Sequence, residues 1–172
     1  MKFRSLIVLF LSLWIPPVLL FGSRDPSGPV YAVQEPPFSV PGESLESALR
    51  QVSFPIWLPT WLPFTPGTPF AFVVHHPNGV QTIYIDYVDS QNQAFVEIAI
   101  TNHPVQMISD RYPLKKVTVG GKYEGIFLDN GAVQMLSWNQ EGLSIMITAS
   151  RPHSPYPVST LLQIAAHLKR VK

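Results

Sequence analysis

VTVGGKYEGIFLDNGAVQMLSWNQEGLSIMITA, residues 117–149, is the stretch on which the fold turns. Gly120-Gly121 stands between Val117–Val119 and Lys122–Leu128, and both glycines can take the positive φ that a two-residue hairpin turn requires. Asn130-Gly131, the strongest short hairpin signal, separates Lys122–Leu128 from Ala132–Trp138. Asn139 to Gly142 then turns the chain into a last run, Leu143 to Ala149. There Leu143, Ile145, Ile147 and Ala149 face one way while Ser144, Met146 and Thr148 face the other. Such alternation predicts an antiparallel sheet with one covered face.

Upstream, the same period continues. Phe70–His75 is rich in strand formers and ends at the turn signature Pro77-Asn78-Gly79. Gln81–Val88 puts Ile83, Ile85 and Tyr87 on one face, and Ala94–Thr101 puts Val96, Ile98 and Ile100 on one face with Glu97 opposite. Ser90–Gln93 is the turn between them, and Pro104–Pro113 is a longer irregular connection. Two helices flank the strands. Leu45, Ala48, Leu49 and Val52 form a short stripe with Glu43 or Ser44 placed to cap it, stopping before Pro55. Leu161, Ile164, Ala165 and Leu168 form a second stripe, with Ser159 as its cap and Lys169 and Arg170 at the negative end of the dipole. The expected fold class is α+β: a curved antiparallel β-sheet meander of about seven strands, with one C-terminal helix and one short N-terminal helix packed on one face.

Between the first helix and the first strand, Phe54-Pro55-Ile56-Trp57-Leu58-Pro59-Thr60-Trp61-Leu62-Pro63 carries a proline every four residues. Neither a helix nor a central strand accepts that spacing, so the segment is expected to be extended and fastened to apolar surface through its tryptophans. The chain starts differently. Lys2 and Arg4 precede an apolar run from Leu6 to Phe21, the layout of a secretory signal, with Val30-Tyr31-Ala32 offering a cleavage site after Ala32. The alternative is an uncleaved anchor, although the run is short of the roughly 17–25 residues that span a bilayer and Pro16-Pro17 interrupts it. The organisation expected is a signal peptide or N-terminal anchor over 1–32, a Pro-rich linker over 33–42, and a single domain over 43–172. Location is then secreted or extracytoplasmic, and membrane contact is confined to residues 5–22 if they are retained.

Composition narrows the functions. The 172 residues contain no cysteine, which removes disulfides, thiolate metal sites and thiol nucleophiles together. Net charge is +1, and loss of residues 1–32 leaves nine basic and ten acidic residues, so totals offer no case for nucleic-acid binding. His75-His76 point to opposite faces of a strand and cannot easily chelate one metal, and no H-E-x-x-H accompanies them. Asp86 on a strand beside Tyr87, and Asp89, Glu97, Glu124, Asp129 and Glu141 at strand edges or turns, are read as solvated surface groups. No G-x-S-x-G elbow is present, Gly120-Gly121-Lys122 lies in a hairpin rather than before a helix, and Asp129-Asn130-Gly131 lacks the later ligands of a calcium loop. No cofactor, metal or catalytic residue is assigned.

The order of these motifs resembles a family. Leu58-Pro59-Thr60-Trp61-Leu62-Pro63 before the first strand, then the meander, Trp138, Gly142, a strand and the helix Ser159–Ala165 are similar to the DUF4367 domains of Gram-positive bacteria, over roughly Phe54 to Leu168. The resemblance implies an extracytoplasmic domain with a LolA-like or RseB-like fold and no catalytic residues to carry over. Related folds hold acyl chains or lipoprotein tails against the concave face of the sheet. By that analogy Ile83, Ile85, Val96, Ile98, Ile145 and Ile147 would floor an apolar groove with Trp57 and Trp61 at its rim, unless the terminal helix fills it. The expected function is that of an exported, non-catalytic binding domain whose partner is a lipid or lipoprotein tail, or an envelope protein. The alternative is a hydrolase acting on envelope material through a dispersed site. N-terminal sequencing of secreted material should find Val33 as the first residue; full-length protein retained in the membrane would establish the anchor instead.

Overall fold

The computed structural model describes residues 21–22, 42–89, 91 and 93–172. The predicted signal or anchor over 1–32 and the linker over 33–42 lie outside these residues, Phe21–Gly22 and Gly42 excepted. In chain order the elements are β1 (Phe21–Gly22), β2 (Glu43–Ser44), α1 (Leu45–Gln51), β3 (Trp57–Pro59), β4 (Phe70–His75), β5 (Gln81–Asp89) and β6 (Ala94–Thr101). They continue with β7 (Gln106–Met107), β8 (Leu114–Val119), β9 (Tyr123–Asp129), β10 (Gln134–Gln140), β11 (Leu143–Ser150), α2 (Val158–Ala166) and β12 (Leu168–Arg170). The fold is α+β. Eight strands form one antiparallel sheet in the order β2-β4-β5-β6-β11-β10-β9-β8; β1 pairs with β7, and β3 with β12, outside it. Seven of the eight are the strands read from sequence, and the eighth is the two-residue β2.

Two runs of hairpins make up the sheet, β4-β5-β6 and β8-β9-β10-β11, and they meet where β6 pairs with β11. The connection over 102–113 therefore carries the chain from the middle of the sheet to its far edge. Across the inner face the register sets Ile85, Ile98, Ile147, Leu136 and Phe127 in one row, and Ile83, Ile100, Ile145, Trp138, Gly125 and Val117 in the next. At Gly125 a Cβ would lie 2.7 Å from Val119 Cγ2, so the close approach beside Trp138 needs glycine. Leu161 and Ile164 of α2, Ala48 of α1, and Phe54, Ile56 and Trp57 of the proline-rich segment join these rows in one core. The outer face is covered as well at one end, where Met107, Leu128 and Met135 form a second buried cluster with Tyr112, Ile126 and Met146 packed against it. The expectation of a single covered face is corrected there, because the long connection lies over the sheet and Met107 comes with it.

Local chemistry revises several boundaries. Ser44 caps α1, its Oγ accepting the Ser47 N–H at 3.3 Å. Ser159 does not cap α2: Pro157 occupies the cap position without a side-chain bond, and Ser159 lies inside the first turn. Lys169 and Arg170 are not helical either. The helix stops at Ala166, and Leu168–Arg170 turn to pair with Trp57–Pro59, giving the extended proline-rich segment its partner. Lys172 completes the clasp, its Nζ donating to the carbonyls of Leu49 at 2.7 Å and Val52 at 2.5 Å at the end of α1. Among the hairpins, the true two-residue turn is Glu141-Gly142, with positive φ at both. At Asn130-Gly131 only Gly131 has positive φ; Asn130 Oδ1 instead accepts the N–H groups of Ala132 and Val133, which opens a four-residue loop and delays β10 to Gln134. Gly120 and Gly121 both have positive φ, 57° and 69°, and Lys122 completes a three-residue loop. A Gly121→Val chain should be less stable by about 1–2 kcal/mol, since Val must enter the left-handed region there, and a thermal melt reads the loss directly.

Candidate functional site

The groove residues expected from sequence fall into two groups. Ile83, Ile85, Val96, Ile98, Ile145 and Ile147 are all 0% exposed, within the core that includes Leu161 and Ile164 of α2. Trp57 is buried in the same core, and Trp61 is half-buried and packed against it. Arg170 lies over the Trp57 ring, 5.9 Å from its centroid, and the His167 ring is 5.9 Å from that of Trp61. The structure thus brings all eight together, as the packed interior and the clasp at its end.

The outer face presents a different arrangement. Because β5 and β6 pair with Asp89 opposite Ala94, every second residue of one faces its counterpart on the other, and Asp86 lies directly opposite Glu97. The row runs on from Phe70 through Asp86 and Glu97 to Thr148 and Met135, and the neighbouring row from Phe72 through Tyr84 and Ala99 to Met146 and Ser137. The Phe72 and Tyr84 rings stack with centroids 4.8 Å apart and planes 13° from parallel. Directly opposed residues on an antiparallel pair have Cβ atoms about 4.5–5.5 Å apart, close enough for two carboxylates to repel. Glu97 and Asp86 are half-buried, and no ion pair reaches either among the described residues.

Both acids respond as that environment requires. Burial, reinforced by the charge of Asp86 and opposed by a hydrogen bond from Thr148, pushes Glu97 up to about 8. Burial pushes Asp86 up to about 6 and, with Glu97 nearby, Tyr84 up to about 12. At neutral pH the pair therefore holds a proton, carries little more than one negative charge, and couples an acid to a neighbouring base.

This corrects the reading of both acids as solvated, and of Glu97 as lying at a strand edge or turn. They sit on central strands, flanked on both sides, and the hairpin register from the Ser90–Gln93 turn was the signal that could have matched them. Asp89 too is buried, its Oδ1 accepting the Gln91 N–H at 3.0 Å. Glu124 and Glu141 are exposed, paired with Lys116 and Arg170. Asp129 Oδ1 accepts from Gly131 N and from Gln134 Nε2, which is turn chemistry. His75 contacts Gln81 and His76 contacts Thr82, each at 3.1 Å, so the two rings have separate partners. Among the described residues no three His, Asp or Glu side chains are grouped to hold a metal ion, and no helix is long and apolar enough to cross a membrane. Comparison with protein-family models, with curated proteins and with solved structures finds no match for the chain.

The carboxyl pair makes stability depend on pH. Its folded pKa values are raised, so the folded state binds protons that the unfolded chain has released. Stability is greatest below the unfolded values and is lost as pH rises through about 6 and about 8. Burial lowers the pKa of His76, which opposes this trend only on the acid side, and Tyr84 enters only at alkaline pH. Thermal melts should therefore fall steadily from pH 6.5 to 8.5, and Glu97→Gln should flatten that slope; an unchanged slope in the variant would mean that the two acids do not share a proton.

Proposed function

We propose that the chain is an exported, non-catalytic binding domain of the DUF4367 type, acting by contact with an envelope protein rather than by holding a lipid or lipoprotein tail. The observation that carries this reading is the complete burial of the six aliphatic side chains that would floor a groove. A ligand could reach them only by displacing α2 or the proline-rich segment, and a packed interior resists that. What is left for recognition is surface: the outer face of β4, β5 and β6, where Phe70 and Val88 are among the exposed large apolar side chains, and the free edges of the sheet.

One observation favours the second reading, an envelope-acting hydrolase. Asp86 and Glu97 are an acid and a base side by side, the pairing that glycoside and peptide hydrolysis use. The test is direct. Incubation with purified cell-wall material should release no soluble fragments; release that disappears in Glu97→Gln would make the domain an enzyme.

For the binding reading, a fluorescent fatty-acid analogue should show no saturable uptake. Ile98→Trp should lower stability by about 1–3 kcal/mol, as over-packing of a tight core does. Saturable uptake that Ile98→Trp blocks in a folded chain would restore the lipid groove.

A further inference from the structure

The sheet ends very differently on its two sides. On one, β4 is covered by the two-residue β2 and by α1. On the other, β8 is six residues long and has no strand beyond it among the described residues. The carbonyl of Val119 accepts the Lys122 N–H at 3.1 Å and so points across the hairpin to β9. Alternation along an antiparallel strand then turns the backbone groups of Val117 and Lys115 toward β9, and those of Leu114, Lys116 and Thr118 outward. Among the described residues no backbone group outside the sheet bonds to these three.

The side chains along this edge select what can pair with it. Leu114, Lys115, Lys116 and Thr118 are exposed, and an open depression at the edge is lined by Lys116, Val117, Thr118, Lys122, Tyr123 and Glu124. Two lysines line it with one carboxylate, Glu124, which is already taken up by Lys116 at 3.2 Å, and Lys115 lies exposed beside them on the strand. Lys122 lies over the Tyr123 ring, 5.0 Å from its centroid, which keeps its charge beside the strand. Two copies of β8 laid side by side would bring lysines onto lysines, an arrangement disfavoured across a ladder. Lys115, opposite Phe127, and Lys116, opposite Ile126, lie on the two faces of the edge, so an extended segment with carboxylates along either face meets a lysine with opposite charge.

We propose that β8 is a docking edge at which an extended, acid-rich segment of a partner protein adds to the sheet as a further strand. This rests on the reading of the chain as a protein-binding domain. Backbone bonds to Leu114, Lys116 and Thr118 would supply affinity, and Lys115, Lys116 and Lys122 would supply the preference for acid.

A fluorescein-labelled decapeptide of alternating Glu and Val is the probe, with the Lys-Val peptide as its control, measured by anisotropy against the purified full chain. The Glu-Val peptide should bind saturably and the control should not. Thr118→Pro removes an outward N–H that the ladder does not use, so it should leave the melting temperature in place and weaken binding about tenfold or more. Lys115→Glu with Lys116→Glu should weaken it similarly and admit the Lys-Val peptide instead. Should Thr118→Pro unfold the chain, a peptide N-methylated at every second residue replaces it and should fail to bind the unaltered protein. Absence of Glu-Val binding, or binding indifferent to both Thr118→Pro and N-methylation, overturns the proposal. Capture of anionic vesicles by Thr118→Pro as by the unaltered chain, with no peptide binding, overturns it in favour of a lipid-facing charge patch. A chain that takes up neither fatty acid nor peptide overturns the edge alone and leaves the protein-contact reading standing.

Discussion

The ladder between β6 and β11 holds the two halves of this sheet together. Residues 95–101 pair there with 144–150, with Ile98 opposite Ile147 and Ile100 opposite Ile145 at the centre. Every other neighbour in the eight-stranded sheet except β2 is a hairpin partner adjacent in sequence, so its pairing closes a short loop. Within that sheet the β6–β11 ladder is the long one that joins distant parts of the chain, and loop closure makes such a contact the costly one. Its register also governs both faces at once. A slip of one residue would turn Ile98 and Ile100 outward and bring Glu97 into the aliphatic rows. The long connection over 102–113 follows from the same ladder, because a chain that leaves β6 must reach the far edge before it can return through β9 and β10.

Much of this was legible because strands announce themselves by alternation, and here nearly every one alternates. The turns were less legible, since a turn signal states that the chain reverses and not how many residues it uses. Asn130-Gly131 reads as a tight hairpin, yet the Asn130 carboxamide can bond to backbone N–H groups two and three residues on, and that option prevails. Glu141-Gly142 looks unremarkable and makes the tightest turn, because the paired strands leave Glu141 no alternative to positive φ. The end of α2 was misread for a related reason: Lys169 and Arg170 suit a helix terminus, but the unpaired backbone of Trp57–Pro59 offers a better partner. Of the candidate site, the aliphatic inner row could be read position by position. The carboxyl pair is not visible in alternation within either strand, because it is set by the register across β5 and β6, which only the length of the turn between them fixes.

Asp86 and Glu97 are therefore informative about the kind of surface this is. A sheet face that served only to be wet would not set two acids opposite each other, bordered by Phe70, the Phe72–Tyr84 stack and Thr148. Like charges in that position cost stability, and the protein tolerates them by keeping a proton. The resulting face carries about one negative charge where two acids stand and is aromatic at one edge, while β8 at the other is cationic. The two sides thus present opposite chemistries around one packed interior.

The clasp between β3 and β12 carries one more implication. Ile56 and Thr60 exchange backbone bonds with Val171, Lys172 and His167, and Lys172 reaches back to the end of α1. The last residues of the fold are thereby tied to the C-terminal end of its first helix, more than a hundred positions away in sequence. A pull on Lys172 would load the clasp first, peeling its few bonds one after another before the β6–β11 ladder felt the strain.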